Sequence, residues 1–323
     1  MNIINYKYMS LGFSGILVFA SIVALVVWGL RPGIDFTGGS ILEVEFVKQP
    51  PSADRLRSAL AELGLDQVVV QSSEERGVIF RFKHIDESLH QKILSRLGQL
   101  ETVAPPAVTP PKNFEDREMP TLSSKLTEKR FDTIGPTVGK ELRRSSIIAL
   151  ALALGAIVLY IAFAFRHVSE PVSSWKYGVV AIAALIHDVV IPSGLLAALG
   201  HFKGVEVDAL FVTALLTIMG FSVHDTIVVF DRIRERLRIT KGRESYSTTV
   251  NQSVNETLAR SINTSLAVLL VLLAIVFFGG TTVYYFAFTL VVGILFGTYS
   301  SIFVASPLLV IWHGWRGKHN IDR

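Results

Sequence analysis

Six stretches of this chain, residues 11–30, 146–165, 177–199, 209–230, 259–278 and 284–312, are runs of apolar residues long enough to cross a lipid bilayer. A spanning helix needs about 20 such residues. Inside hydrocarbon no water can serve the backbone, so only a helix or a closed barrel satisfies its own N–H and C=O groups. Runs of this length select helices, and the expected fold is a multi-pass α-helical membrane protein with six transmembrane helices. The composition agrees: charged residues make up only 18% of the chain, against about 25% in soluble domains. The first run is too long for a signal-peptide core. It is followed by Trp28, Gly29, Leu30 and Arg31 rather than a small-residue cleavage site, so it reads as a retained anchor.

Six spans put both termini on one side, and the short loops indicate which side. Arg166 and Lys176 follow the second span; Arg232, Arg234, Arg236, Arg238, Lys241 and Arg243 follow the fourth; Arg316, Lys318 and Arg323 close the chain. The opposite short loops carry only Lys203. Positive-inside bias then places both termini in the cytoplasm. The net charge of +4 is concentrated beside the spans, where the bilayer accounts for it, so no nucleic acid is expected as a partner. With no cysteine in the chain, disulfides and thiolate chemistry are excluded.

The expected division is residues 1–30 (N-terminus and first span), 31–145 (extracytoplasmic domain), 146–230 (spans two to four), 231–258 (cytoplasmic basic loop) and 259–323 (spans five and six with the tail). Within the outer segment, residues 40–47, 67–71, 78–83 and 129–134 read as strands. Residues 52–64, capped by Ser52, and 86–97 read as helices. The order β-α-β-β-α-β predicts an α+β ferredoxin-like extracytoplasmic domain. Between the second helix and the last strand, Pro105-Pro106, Pro110-Pro111 and the charged run 115–118 read as an exposed, mobile insertion. In the basic loop, Ile233 and Leu237, then Val250, Val254 and Leu258, recur at helical spacing. They predict two short amphipathic helices on the membrane face, with a solvated loop as the alternative.

Ionisable groups interrupt the spans at His187-Asp188, His224-Asp225 and Arg260. A charge near the bilayer centre costs roughly 3 kcal/mol, and such groups usually pair inside the bundle or handle ions. Asp225 lies six residues before Asp231, taken as the cytoplasmic edge, which puts it roughly 9 Å inside. Arg260 enters the fifth span from the same side, so the two can meet. Desolvation neutralises a buried carboxylate and a nearby guanidinium favours its ionised form. Arg260 moving to or from Asp225 would therefore release or take up a proton; a permanent ion pair is the alternative. His224 points about 100° away from Asp225 along the helix. Asn263 shares a face with Arg260 and either orients it or packs against a helix. His187 and Asp188 belong to the relay or bond a neighbouring helix. Gly297, Thr298, Ser300 and Ser301 form a weakly polar patch in the sixth span, suited to close packing or to a wall opposite Asp225. Pro192 and Gly194 are expected to kink the third span. No catalytic residue, cofactor or metal-ligand set is evident.

Four motifs carry a resemblance. Gly33-Ile34-Asp35-Phe36-Thr37-Gly38-Gly39, Gly135-Pro136-Thr137-Val138-Gly139, the block from Gly220 to Glu235 and Thr257-Leu258-Ala259-Arg260-Ser261 resemble, in order, the signatures of the SecF family of protein translocase subunits. The resemblance implies half of a SecD–SecF complex in the resistance-nodulation-division group, resident in the bacterial plasma (inner) membrane. It implies association with the SecYEG channel and other membrane translocase accessories, and late export of a translocating polypeptide driven by the proton gradient, or by sodium in some marine relatives. The outer domains would hold the emerging polypeptide. The family's membrane aspartate and arginine fall on Asp225 and Arg260, while His224 stands where a small polar residue such as Asn is usual. The rival readings are a passive scaffold of the translocase and half of a small-molecule exporter of the same superfamily.

Overall fold

The computed structural model describes residues 2–65, 67–73, 76–101, 126–165, 174–240 and 243–319. In chain order its elements are α1 (Lys7–Val27), α2 (Ile34–Thr37), β1 (Gly39–Phe46), α3 (Ala53–Ala61), β2 (Val69–Ser73), β3 (Gly77–Phe82), α4 (Glu87–Glu101), β4 (Leu126–Ile134), α5 (Pro136–Ala164), α6 (Ser174–Lys203), α7 (Ala209–Thr240), α8 (Tyr246–Phe278), α9 (Thr281–Ser300) and α10 (Ser306–His319). A π-helical turn, Ser301–Ala305, joins the last two, and together they make the sixth span. Among the described residues, six helices are long and apolar enough to cross a membrane.

The chain forms two units. One is Met1–Pro32 with Ser145–Arg323, and the other is Gly33–Arg144. In the first, the central helices are α6, α7 and the sixth span, with half or more of their apolar windows buried. Helices α1, α5 and α8 lie outside them and present side chains such as Phe19, Leu152 and Phe277 outward, as a lipid-facing surface requires. Close packing uses glycine: a Cβ on Gly194 of α6 would come 2.5 Å from Ser21 Cα of α1, and one on Gly293 of α9 would collide with Ile218 of α7. Helix α6 runs without a break through Pro192. The proline has no N–H to give the Asp188 carbonyl four residues back, so the helix loses one rung there.

The two short amphipathic helices expected on the cytoplasmic face are not present. Helix α7 continues through Ile233 and Leu237 to Thr240, and α8 already begins at Tyr246, so Val250, Val254 and Leu258 lie on the fifth spanning helix. The cause is burial. Ile233, Val250 and Val254 are fully enclosed in the core that also holds Tyr177 and Phe230, so their helical spacing reports bundle packing rather than a membrane surface. Polar partners hold the helix ends: Arg232 Nε donates to Glu256 at 2.5 Å, Arg236 Nη1 donates to the same carboxylate, and Arg232 Nη1 donates to Glu235 at 2.6 Å. Arg166, Lys241 and Arg323 lie outside the described residues.

The second unit has the ferredoxin-like order β1-α3-β2-β3-α4-β4, with an antiparallel sheet of spatial order β2-β3-β1-β4. Period-two alternation builds it. Leu42, Val44 and Phe46 of β1 and Val78, Phe80 and Phe82 of β3 point to one face and are buried with Leu56, Leu60, Ile93 and Leu97 of the helices. Ser52 occupies the position before α3, but its side chain makes no capping bond. The cap is instead at α4, where Leu89 N–H donates to Asp86 Oδ1 at 2.9 Å. The proline-rich insertion at 105–118 lies outside the described residues. Two of the sequence motifs meet in this unit. Gly38 and Gly39 adopt φ of +73° and +135°, and a Cβ on Gly38 would stand 2.7 Å from Pro136 Cα. In return, a Cβ on Gly139 would stand 2.7 Å from Gly38 N, so each glycine motif leaves room for the other.

Candidate functional site

Asp225 is on the inward face of α7, and His224 beside it is exposed. That is the division expected for successive helical residues about 100° apart. The carboxylate does not meet Arg260. Ser261 Oγ of α8 donates to Asp225 Oδ1 at 2.5 Å, while Oδ2 is buried with no hydrogen-bond partner. The same rotation per residue explains it: with Ser261 in the seam, Arg260 is turned out and exposed. Among the described residues no ion pair joins Asp225 to Arg260. Asn263 is likewise exposed on α8 and makes no bond to the guanidinium. The spans thus hold a buried carboxylate on one side of the α7–α8 seam, with His224, Arg260 and Asn263 exposed.

His187 and Asp188 are both buried, on α6. Asp188 Oδ1 lies 2.7 Å from His187 Nδ1. Its Oδ2 accepts from Ser222 Oγ of α7 and from Ser300 Oγ of α9, the latter at 2.7 Å. One carboxylate therefore ties three helices. The His187 ring lies near Phe296 and Tyr299 of α9, and its Nε2 is buried without a partner. The polar patch of the sixth span is built into these contacts. Ser300 reaches Asp188, Ser301 bonds Thr226 of α7 at 3.1 Å, and Thr298 bonds Ser265 of α8. Gly297 allows the approach, since a Cβ there would already touch Ser222 and Asp188. The patch gives way directly to the π turn, where Ser306 Oγ donates to the Ser301 carbonyl at 3.0 Å. Such turns often mark functional positions in helices.

Sequence reasoning did not find the roles of Ser222 and Ser261. Serines in apolar helices commonly bond their own backbone, as Ser265 does to the Ser261 carbonyl, so a serine alone does not signal a partner. The available signal was spacing: Ser222 is three residues before Asp225, on the same helix face.

Residues 116–315 match the family described as protein export membrane protein SecD/SecF, C-terminal, and residues 23–50 match the SecD/SecF GG motif. The protein translocase subunit SecF of Thermobaculum terrenum is 43% identical, with 97% of this chain and 94% of the relative covered. The SecF of Anaerolinea thermophila is 38% identical, with 98% and 96% covered. Among solved structures, the fold is similar to SecDF from Thermus thermophilus, a translocon-associated membrane protein, with a TM-score of 0.75 and 32% identity over 97% of this chain. The match covers 39% of that solved chain, so this chain corresponds to under half of it. Its relatives carry the name of a translocase subunit rather than of an enzyme. On the motifs, the six spans, the ferredoxin-like unit and these likenesses, the chain belongs to the SecF family of membrane-embedded protein translocase subunits.

Proposed function

We propose that this chain, paired with SecD at the SecYEG channel of the bacterial inner membrane, uses the proton gradient to promote late polypeptide translocation. The observation that carries the reading is Asp225, a carboxylate enclosed in the spans with one oxygen held by Ser261 and the other unpartnered. A fixed brace would show the ion pair with Arg260 already formed. Here the guanidinium is free to approach, which favours release of a proton from Asp225, or to retreat, which favours uptake. Each charge that crosses the field is worth roughly 2.3 kcal/mol per 100 mV, enough to bias a reorientation of the outer ferredoxin-like domain, where emerging polypeptide would be held. The solved relative is titled SecDF, and lipid does not readily accept exposed side chains such as Arg260, Asn263 and His224. Both points support a polar partner surface supplied by SecD. The arginine-rich end of α7 supports cytoplasmic termini through positive-inside bias.

The test separates a driven role from a passive scaffold. Asp225→Asn and Arg260→Met are expected to leave the assembled complex at normal abundance and to abolish gradient-dependent secretion into inverted membrane vesicles. Low abundance of the complex with normal secretion per complex would instead assign both residues to the scaffold.

A further inference from the structure

Among its described residues the membrane unit buries two carboxylates, and the reading of Asp225 leaves Asp188 unused. A helix brace would need only the serine hydroxyls that Asp188 already accepts. His187 adds something a brace does not use, a buried imidazole with one nitrogen on the carboxylate and the other without a partner. Such an imidazole–carboxylate pair can hold one exchangeable proton. With it the pair is neutral overall; without it the pair carries one negative charge, which Ser222 and Ser300 stabilise.

The hydroxyls around the pair have alternative acceptors. Ser300 has a single hydroxyl hydrogen but two acceptors, Asp188 Oδ2 at 2.7 Å and the Gly297 carbonyl at 3.0 Å. It donates to Asp188 when the acid is ionised and turns to Gly297 when Oδ2 carries a proton. Ser301 shares the Gly297 carbonyl at 3.0 Å and bonds Oγ1 of Thr226, the residue after Asp225, at 3.1 Å. One carbonyl, at the junction of α9 with the π turn, therefore serves a hydroxyl from each carboxylate's surroundings. The titratable groups facing this cluster are His187 on α6, Asp225 on α7 and Tyr299 on α9, whose ring lies 6.4 Å from the imidazole and whose hydroxyl donates to Ser10 O of α1. Helix α8 contributes the Ser261 and Ser265 hydroxyls, with Arg260 turned outward.

We propose that His187 and Asp188 form a second proton-binding site of the membrane unit, whose charge is coupled to that of Asp225 across the packed contacts of Ser300, Ser301 and Thr226. The inference rests on the reading of Asp225 as a proton-binding residue.

The test is infrared titration of the full chain in lipid vesicles, with the Asp188 carboxyl band assigned by Asp188→Asn. If that variant does not fold, Asp188→Glu assigns the band by shifting it. The Asp188 band is expected to come and go across the pH series, and Asp225→Asn is expected to displace its midpoint by about one pH unit, as for coupled sites. A band that stays constant with pH or a midpoint indifferent to Asp225 would overturn the proposal. If the band is constant while Asp225→Asn still abolishes gradient-dependent secretion, only the second site falls. If the band titrates while secretion ignores Asp225, the second site stands and the export reading falls.

Discussion

Among the described residues, the two acids buried in the spans are held differently. Asp188 has partners on both oxygens, from three helices, whereas Asp225 has Ser261 on one oxygen and none on the other. An unsatisfied buried oxygen is costly, which leaves Asp225 the acid with most to gain from a proton or from an approaching cation. Asp86, in the water-exposed domain, shows the opposite arrangement. The Leu89 N–H and the Ser88 hydroxyl both donate to it, and they hold its pKa below the ordinary value of 3.8. Because the folded-state pKa is depressed, this contribution to stability is present above that ordinary value and is lost as pH falls through the native one. Asp86→Ala is therefore expected to speed amide hydrogen exchange in the first turn of α4 at neutral pH. The gap to the wild type should close in acid below the native pKa. A gap of equal size in acid would show that the carboxylate charge is not what caps the helix.

Helix contacts in the membrane unit depend on positions where no side chain fits. Gly194→Ala drives a methyl group into the Ser21 backbone of α1 and is expected to destabilise the purified protein by about 1–3 kcal/mol, as overpacking does. Gly155→Ala on α5, where a Cβ would meet nothing within 4 Å, serves as the control. Equal thermal unfolding of the two variants would contradict the packing described. The same elements show what the sequence could reveal. Apolar runs located every span but ended α7 too early and began α8 too late, because a run marks depth in lipid while Ile233, Val250 and Val254 find their core among charged neighbours. In the ferredoxin-like unit, the alternation of Leu42, Val44 and Phe46 made β1 legible. The start of β4 was hidden because Thr127 and Glu128 are exposed and polar. Asp188 and Asp225 stood out as charges in apolar runs, yet their partners Ser222 and Ser261 did not, since a hydroxyl tolerates lipid when it bonds its own helix.

At the scale of the whole molecule, a membrane unit with two buried acids among its described residues and a ferredoxin-like unit belong to one chain. That chain corresponds to 39% of the SecDF chain it resembles, so a complete transport cycle is expected to require the partner half. The central claim is that Asp225 takes up and releases protons as polypeptide moves. The most direct measurement follows the internal pH of vesicles carrying the assembled complex while translocation proceeds under an imposed proton gradient, for the wild type and for Asp225→Asn. The account predicts proton movement that rises with translocation in the wild type and is absent in the variant. Equal proton movement in both would contradict it.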